Sequence, residues 1–132
     1  MKRILYADDE DALLLAFSKL LSGPGIEIDT AQSASEAEKL ITERSYDVLI
    51  VDLRMAGSAS MDGLEVIACA RKHQSHAAII VLTAYGDTMI RENVLNSGAS
   101  YYFEKPVSPH RIRQLLGTLG FYSGITEFIF SP

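Results

Sequence analysis

Five short apolar runs alternate along the chain with five segments whose apolar residues recur at helical spacing. The runs read RILYA, IEIDTA, DVLIVDL, AAIIVLTA and SYYFE, and they are rich in isoleucine, valine and tyrosine. The third and fourth runs are almost wholly apolar, which is typical of central parallel strands that are covered on both faces. The pattern therefore predicts five strands of a parallel sheet.

The intervening segments carry apolar stripes and end signals that predict five helices. The first helix is expected to end at SGPG and the fourth at NSG. Ser33 and Glu36 have the spacing of a capping box, and Ser108 with Pro109 suits the start of the fifth helix. The stripes consist of Leu13, Leu14, Phe17, Leu20 and Leu21, then Ala37, Leu40 and Ile41, then Leu64, Ile67, Ala68 and Arg71, then Ile90, Val94 and Leu95, and finally Ile112, Leu115, Leu116 and Leu119.

Strict alternation of strands and helices predicts a (βα)5 fold of the α/β class, with helices on both faces of a parallel sheet and right-handed crossovers. The 132 residues fit one domain with an adequate core, and 48% hydrophobic with 22% charged residues is ordinary for a soluble globular protein.

Charge and cysteine content narrow the classes of function. A net charge of −5 gives no electrostatic footprint for nucleic acid or an anionic membrane, so we expect no direct contact with either. No apolar run is long enough to span a bilayer. The single cysteine, Cys69, has no partner for an internal disulfide, which favours a cytoplasmic location.

Side chains with useful chemistry stand at the carboxyl ends of the predicted strands, where open α/β sheets bind their ligands. They are Asp8 and Asp9 after the first strand, Asp52 after the third, Thr83 after the fourth and Lys105 after the fifth. Carboxylates are hard oxygen ligands suited to Mg²⁺, and beside the cation Asp52 can act as a nucleophile towards a phosphoryl group. Each acid alone is more often a turn or cap residue, and it is their joint placement that favours a site.

The stretches ILYADDE, DVLIVDLRM, MDGLEVI, IIVLTA and LNSGASYYFEKP, in this order, resemble the receiver domain of two-component response regulators. The resemblance covers residues 2 to about 119, and it implies a receiver domain over 1–119 followed by an apolar tail over 120–132. It also implies a flavodoxin-like, doubly wound five-stranded sheet of order 2-1-3-4-5. Such a domain is not an enzyme in the ordinary sense, but it assists its own phosphorylation and dephosphorylation.

The resemblance implies a role for each acid of the site. Asp52 would be the phosphoacceptor, taking a phosphoryl group from a histidine kinase, a phosphotransfer protein or a small phosphodonor. Asp8, Asp9 and Asp52 would hold Mg²⁺ together with the backbone carbonyl of Arg54.

The resemblance also implies a switch. Thr83 and Lys105 would bind phosphoryl oxygens, and Tyr102, three residues before the lysine, matches the family's switch aromatic. Lys105–Pro106 would be a cis peptide, which proline permits at modest cost. Phosphorylation would draw the Thr83 hydroxyl towards the site and let Tyr102 rotate inward. The surface of the fourth helix, fifth strand and fifth helix would then change its preference for a downstream protein target or an output domain.

The sequence departs from the family pattern around the proposed acceptor. The loop over 56–60 is longer by three residues and lacks a proline, so we expect it to be more mobile. Tyr101 stands where the family often has aspartate. Arg54 and Tyr85 are bulky residues that flank the site, and we expect them to slow the attack of water on an acyl phosphate.

Other interpretations stay open at this stage. A degenerate receiver would bind partners without phosphorylation. An aspartate-nucleophile phosphatase would want a second acid at position 54, where Arg54 stands. An FMN carrier would need a phosphate-binding loop after the first strand, where this chain has acids. His73, His76 and His110 lack metal-ligand spacing and are expected on the surface.

The tail aromatics Phe121, Tyr122, Phe128 and Phe130 have three open roles. They can pack on the domain itself, form the surface of a homodimer, or begin a linker to an output domain.

Overall fold

The sheet and its helices follow the predicted alternation in the computed structural model, which describes residues 1–55, 62–84 and 88–122. The elements are β1 Lys2–Ala7, α1 Asp11–Leu21, β2 Ile26–Ala31, α2 Ala34–Glu43, β3 Val48–Asp52, α3 Gly63–His73, β4 Ala78–Thr83, α4 Thr88–Asn96, β5 Tyr101–Glu104 and α5 Pro109–Thr118. All four strand pairings are parallel, and the order is β2-β1-β3-β4-β5. The predicted fold class and strand order are confirmed.

The core lies in two layers, one on each face of the sheet. Ile4 of β1 and Ile50 of β3 point into the layer covered by α1 and α5. Their neighbours Leu5 and Leu49 point into the layer covered by α2, α3 and α4. Successive residues of a strand face opposite sides, so a strand buried on both sides must be apolar throughout. This geometry explains the continuous apolar run of β3.

Predicted helix starts are confirmed in their local hydrogen bonds. The Ser33 hydroxyl accepts a hydrogen bond from the Glu36 N–H at 3.2 Å. The Glu36 carboxylate accepts one from the Gln32 N–H at 2.9 Å, so it reaches one residue beyond the expected partner. Ser108 caps α5 through the His110 N–H at 3.1 Å, with proline as the first helical residue.

The third helix exists as predicted, but its inner face is rotated by one residue. Val66, Ile67 and Ala70 are buried, whereas Ala68, placed in the predicted stripe, is exposed. The cause is the close approach at Gly63, where an added Cβ would lie 2.6 Å from the Cα of Leu53. Because glycine lets the start of α3 lie directly on the backbone after β3, the positions one residue earlier face the sheet.

Packing continues past α5 to Tyr122, three residues beyond the predicted end of the domain. Phe121 is buried in the α1/α5 layer. The Tyr122 hydroxyl donates to the carbonyl of Leu21 at 2.5 Å, and its ring lies 3.9 Å from the guanidinium of Arg113. Arg113 also donates to two carbonyls at the end of α1, at 2.7 and 3.1 Å. We call the Arg113–Tyr122 pair the clasp; Phe128 and Phe130 lie outside the described residues.

Within the described ranges, none of the helices has the length and apolar character needed to cross a membrane.

Candidate functional site

Strand alternation brings three of the predicted site residues together at the carboxyl edge of the sheet. Asp8 follows Tyr6 by two residues, and Asp52 follows Ile50 by two, so both carboxylates continue the face covered by α1 and α5. Lys105 reaches the same place from the end of β5. Its ammonium lies 3.0 Å from the Asp8 carboxylate and 3.5 Å from the Asp52 carboxylate.

Asp8 is the most enclosed acid of the site, with no exposed surface. One of its oxygens accepts hydrogen bonds from the Tyr6 hydroxyl at 2.7 Å and from Lys105 at 3.0 Å. The other accepts the Glu10 N–H at 3.0 Å. A buried carboxylate needs such donors to compensate its lost hydration. Asp8 therefore anchors Lys105 beside Asp52.

Tyr6 was not identified from the sequence as a residue of the site. The available signal was its position two residues before Asp8, which places both side chains on the same face of the strand. Its hydroxyl is held in the protonated form, because burial and then the charge of Asp8 raise the pKa of Tyr6 far above its usual range. The hydroxyl is therefore a permanent donor to the Asp8 carboxylate.

Asp52 is 5% exposed, and its surroundings disfavour the ionised form of its carboxyl group. Burial first, and the neighbouring Asp8 carboxylate second, raise the pKa of Asp52 to about 6, although Lys105 partly opposes them. The Arg54 N–H lies 3.4 Å from the other Asp52 oxygen. An acid held in this way has an ionised form that an added positive charge would stabilise strongly.

Lys105 keeps its charge in this setting. Burial alone would lower the pKa of Lys105, but the hydrogen bond to Asp8 and the charge of Asp52 outweigh it, so that the pKa is raised. The Lys105 ammonium also lies 3.5 Å from the Glu10 carboxylate. One half-buried ammonium group thus lies close to three carboxylates.

Asp8, Asp9 and Glu10 form an acidic cluster in which one carboxylate oxygen from each residue lies within 4.8 Å of the others. Desolvation and the charge of Asp8 raise the pKa of Asp9, as expected where acids crowd without enough compensating charge. Hard oxygen donors at this spacing fit a cation such as Mg²⁺. The sequence analysis had not counted Glu10 among the ligands, although it directly follows the acidic pair.

Thr83 and Tyr102 lie on the opposite face of the sheet from Asp52. Thr83 follows Val81 by two residues at the end of β4, and Tyr102 pairs with Val81 in β5. Thr83 is buried, and its carbonyl accepts the Lys105 N–H at 2.8 Å. The Tyr102 hydroxyl oxygen is shielded from solvent, so the polar end of this ring lies inside the domain. The Lys105–Pro106 peptide is cis, as expected.

The other predicted features either are placed as expected or lie outside the described residues. Tyr85 and the longer loop over 56–60 belong to the second group. The three histidines, His73, His76 and His110, are exposed as expected, and Cys69 is half-buried in α3.

Comparison with known proteins agrees with this geometry. The family model for the response regulator receiver domain matches residues 4–117. The chain therefore belongs to the receiver domain family of two-component response regulators, a class of signalling domains.

One curated relative and two solved structures illustrate the likeness. The alginate biosynthesis transcriptional regulatory protein AlgB of Pseudomonas putida is 33% identical over 111 residues, which is 84% of this chain and 24% of AlgB. The chain thus spans about a quarter of that relative's length. A CheY-like receiver domain from Methanospirillum hungatei superposes with a TM-score of 0.81 at 28% identity, covering 89% of this chain and 92% of that one. A Burkholderia pseudomallei response regulator, solved with a phosphorylated aspartic acid, calcium ion and citrate, superposes with a TM-score of 0.78 at 27% identity. The match covers 96% of this chain and 71% of that one.

Proposed function

We propose that Asp52 accepts a phosphoryl group and that the domain transmits this event to a protein partner. The observation that carries the proposal is the half-buried Lys105 ammonium, fixed by Asp8 at 3.0 Å and lying 3.5 Å from Asp52. A lysine held in this way supplies a positive charge next to the attacking oxygen without having to move far.

The reaction is a simple displacement at phosphorus. A carboxylate oxygen of Asp52 forms a bond to the phosphorus, and the bond to the donor's leaving group breaks with its electron pair. Lys105 and the Thr83 hydroxyl contact the phosphoryl oxygens. Such transfers depend on positioning and charge compensation more than on covalent help. The donor is a histidine kinase, a phosphotransfer protein or a small acyl phosphate.

Receiver domains generally use Mg²⁺ at an acidic pocket, and the acids of this chain fit that requirement. We assign Asp8, Asp9, Asp52 and the Arg54 carbonyl as the groups that hold the ion, with Glu10 close enough to take part. When bound, the ion neutralises charge on the phosphoryl oxygens. Calcium and a phosphorylated aspartate in the Burkholderia structure support this assignment.

The signal is proposed to travel through Thr83 and Tyr102. Both residues follow the same face of the sheet, on adjacent strands, so a movement of Thr83 towards a phosphoryl group changes the space beside the Tyr102 ring. Phosphorylation then stabilises the arrangement in which the tyrosine hydroxyl is covered, and α4, β5 and α5 present a different surface to the target. A histidine kinase upstream and a target protein or output domain downstream are the partners that this mechanism needs.

Intact mass spectrometry tests the acceptor directly. After incubation with acetyl phosphate and Mg²⁺ we expect one added phosphoryl group, about 80 Da, that hydroxylamine removes. Asp52→Asn should abolish the gain, whereas Asp47→Asn, at the opposite edge of the sheet, should keep it. A gain that persists in Asp52→Asn would refute the assignment. If neither acetyl phosphate nor a phosphorylated histidine kinase modifies the protein, the proposal is replaced by the alternative, a module that binds protein partners without phosphorylation.

A further inference from the structure

A cavity of about 380 Å³ lies on the face of the sheet that carries α1 and α5, beside the carboxyl end of β4. Its apolar wall is formed by Leu13 and Phe17 of α1, Leu82 of β4, and Pro106 and Val107 after β5. Phe17 and Leu82 are buried, so they form a fixed floor. A space of this size with mainly apolar walls has the character of a small-molecule site.

Glu10 and Lys105 form the polar end of this cavity. The Lys105 ammonium is already engaged by Asp8 at 3.0 Å and by Asp52 and Glu10 at 3.5 Å each. The Glu10 side chain, in contrast, is 60% exposed. Glu10 is therefore the charged group that an incoming ligand can reach.

The charged residues around the cavity determine whether it favours a positively or a negatively charged ligand. Asp8, Asp9, Glu10 and Asp52 together with Lys105 give four negative charges against one positive charge, a local net charge of −3 when all are ionised. In the metal-free protein this field disfavours a carboxylate or phosphate ligand and favours a cation. One divalent cation in the acidic cluster would reduce the local charge to −1 without changing its sign.

We propose that the cavity binds a small organic cation, with an apolar ring among Leu13, Phe17 and Val107 and an ammonium or amidinium group at Glu10. The binding rests on the walls and the charge of the cavity, and it does not require phosphorylation of Asp52. Because the organic cation and a divalent metal ion add positive charge to the same carboxylates, each weakens the binding of the other.

The test is a titration of the ¹⁵N- and methyl-labelled full chain with 2-phenylethylammonium chloride, followed by NMR. We expect saturable shifts at Leu13, Val107 and Glu10, with a dissociation constant on the order of 1 mM for a ligand of this size. Addition of Mg²⁺ should weaken the binding several-fold. Absence of saturable shifts in millimolar ligand, or shifts centred on another part of the domain, would overturn the proposal.

Matched ligands and variants separate the contribution of the apolar walls from that of the charge at Glu10. 3-Phenylpropionate keeps the ring and reverses the charge, while ethylammonium keeps the charge and lacks the ring; both should bind at least about tenfold more weakly. Glu10→Gln should reduce the affinity for the cation several-fold, and Glu43→Gln, on α2, should leave it unchanged. Leu13→Trp and Val107→Phe fill the space, so either variant that folds should lose binding. Equal binding of 3-phenylpropionate, or undiminished binding in both filled variants, would contradict the assignment.

Discussion

Replacing Asp52 by asparagine should stabilise the metal-free protein. The carboxyl is 5% exposed, and its pKa is raised from 3.8 to about 6 by burial and by the charge of Asp8. A shift of about two units, at 1.36 kcal/mol each, means that ionised Asp52 costs about 3 kcal/mol of folding free energy at neutral pH. Asparagine has nearly the same shape and no charge, so the variant avoids this cost while Lys105 keeps its contact with Asp8.

The sign of the pH dependence follows from the direction of the shift. Because the folded-state pKa of Asp52 lies above the unfolded-state value, folding retains a proton that the unfolded chain has lost between pH 4 and 6. The destabilisation is absent below about pH 4, grows up to about pH 6 and is complete above it. Wild type and Asp52→Asn should therefore be about equally stable at pH 4 and should differ by about 3 kcal/mol at pH 7.

Urea unfolding in EDTA, monitored by far-UV circular dichroism at several pH values, measures this difference in the free energy of unfolding. In thermal unfolding at pH 7, the melting temperature of Asp52→Asn should be roughly 10 °C above that of the wild type. Glu92→Gln, which removes one exposed charge from α4, serves as the control and should change stability by less than about 0.5 kcal/mol. Equal stability of wild type and Asp52→Asn at pH 7, or a gap that does not close towards pH 4, would show that Asp52 is not held at an electrostatic cost.

Three further predictions concern other parts of the molecule. Mg²⁺ should raise the melting temperature of the wild type, and Asp9→Asn should reduce that rise while Asp47→Asn keeps it; an unchanged rise in Asp9→Asn would remove Asp9 from the ligand set. Tyr122→Phe should lower the free energy of unfolding by about 1 kcal/mol, because it deletes the hydrogen bond to Leu21, and a neutral result in urea unfolding would mean that the clasp rests on ring packing alone. Gly63→Ala should cost about 1–3 kcal/mol in the same assay, since the added Cβ meets backbone, and a stabilising effect would contradict the close approach of α3.

The sequence predicted the elements well because their signals are local. The near-continuous apolar run of β3 is typical of a strand buried on both faces, and the cap of α5 at Ser108 needs no tertiary information. The inner face of α3 was placed wrongly because it depends on how closely Gly63 approaches the strand before it. That approach is a tertiary property which periodicity does not contain.

The sequence predicted which residues form the candidate site better than it predicted the contacts between them. Alternation along the strands places Asp8 and Asp52 at one edge, and this much follows from the sequence. The hydrogen bond from Tyr6 and the link from Lys105 to Glu10 depend on side-chain directions, which residue types do not specify. The roles of the site residues in phosphoryl transfer stay predictions until the mass measurement is made.

The clasp fixes Tyr122 beside the last residue of α1. Both α1 and α5 run from the edge of the sheet that carries Asp52 to the opposite edge, and Tyr122 is hydrogen-bonded there to the last residue of α1. A strand of five or six residues spans about 20 Å, so Tyr122 lies roughly that far from Asp52. Asp52 and Tyr122 thus lie at opposite ends of the sheet. Because the clasp joins α1 and α5 at that end, a displacement of either helix at the Asp52 edge would also move Tyr122.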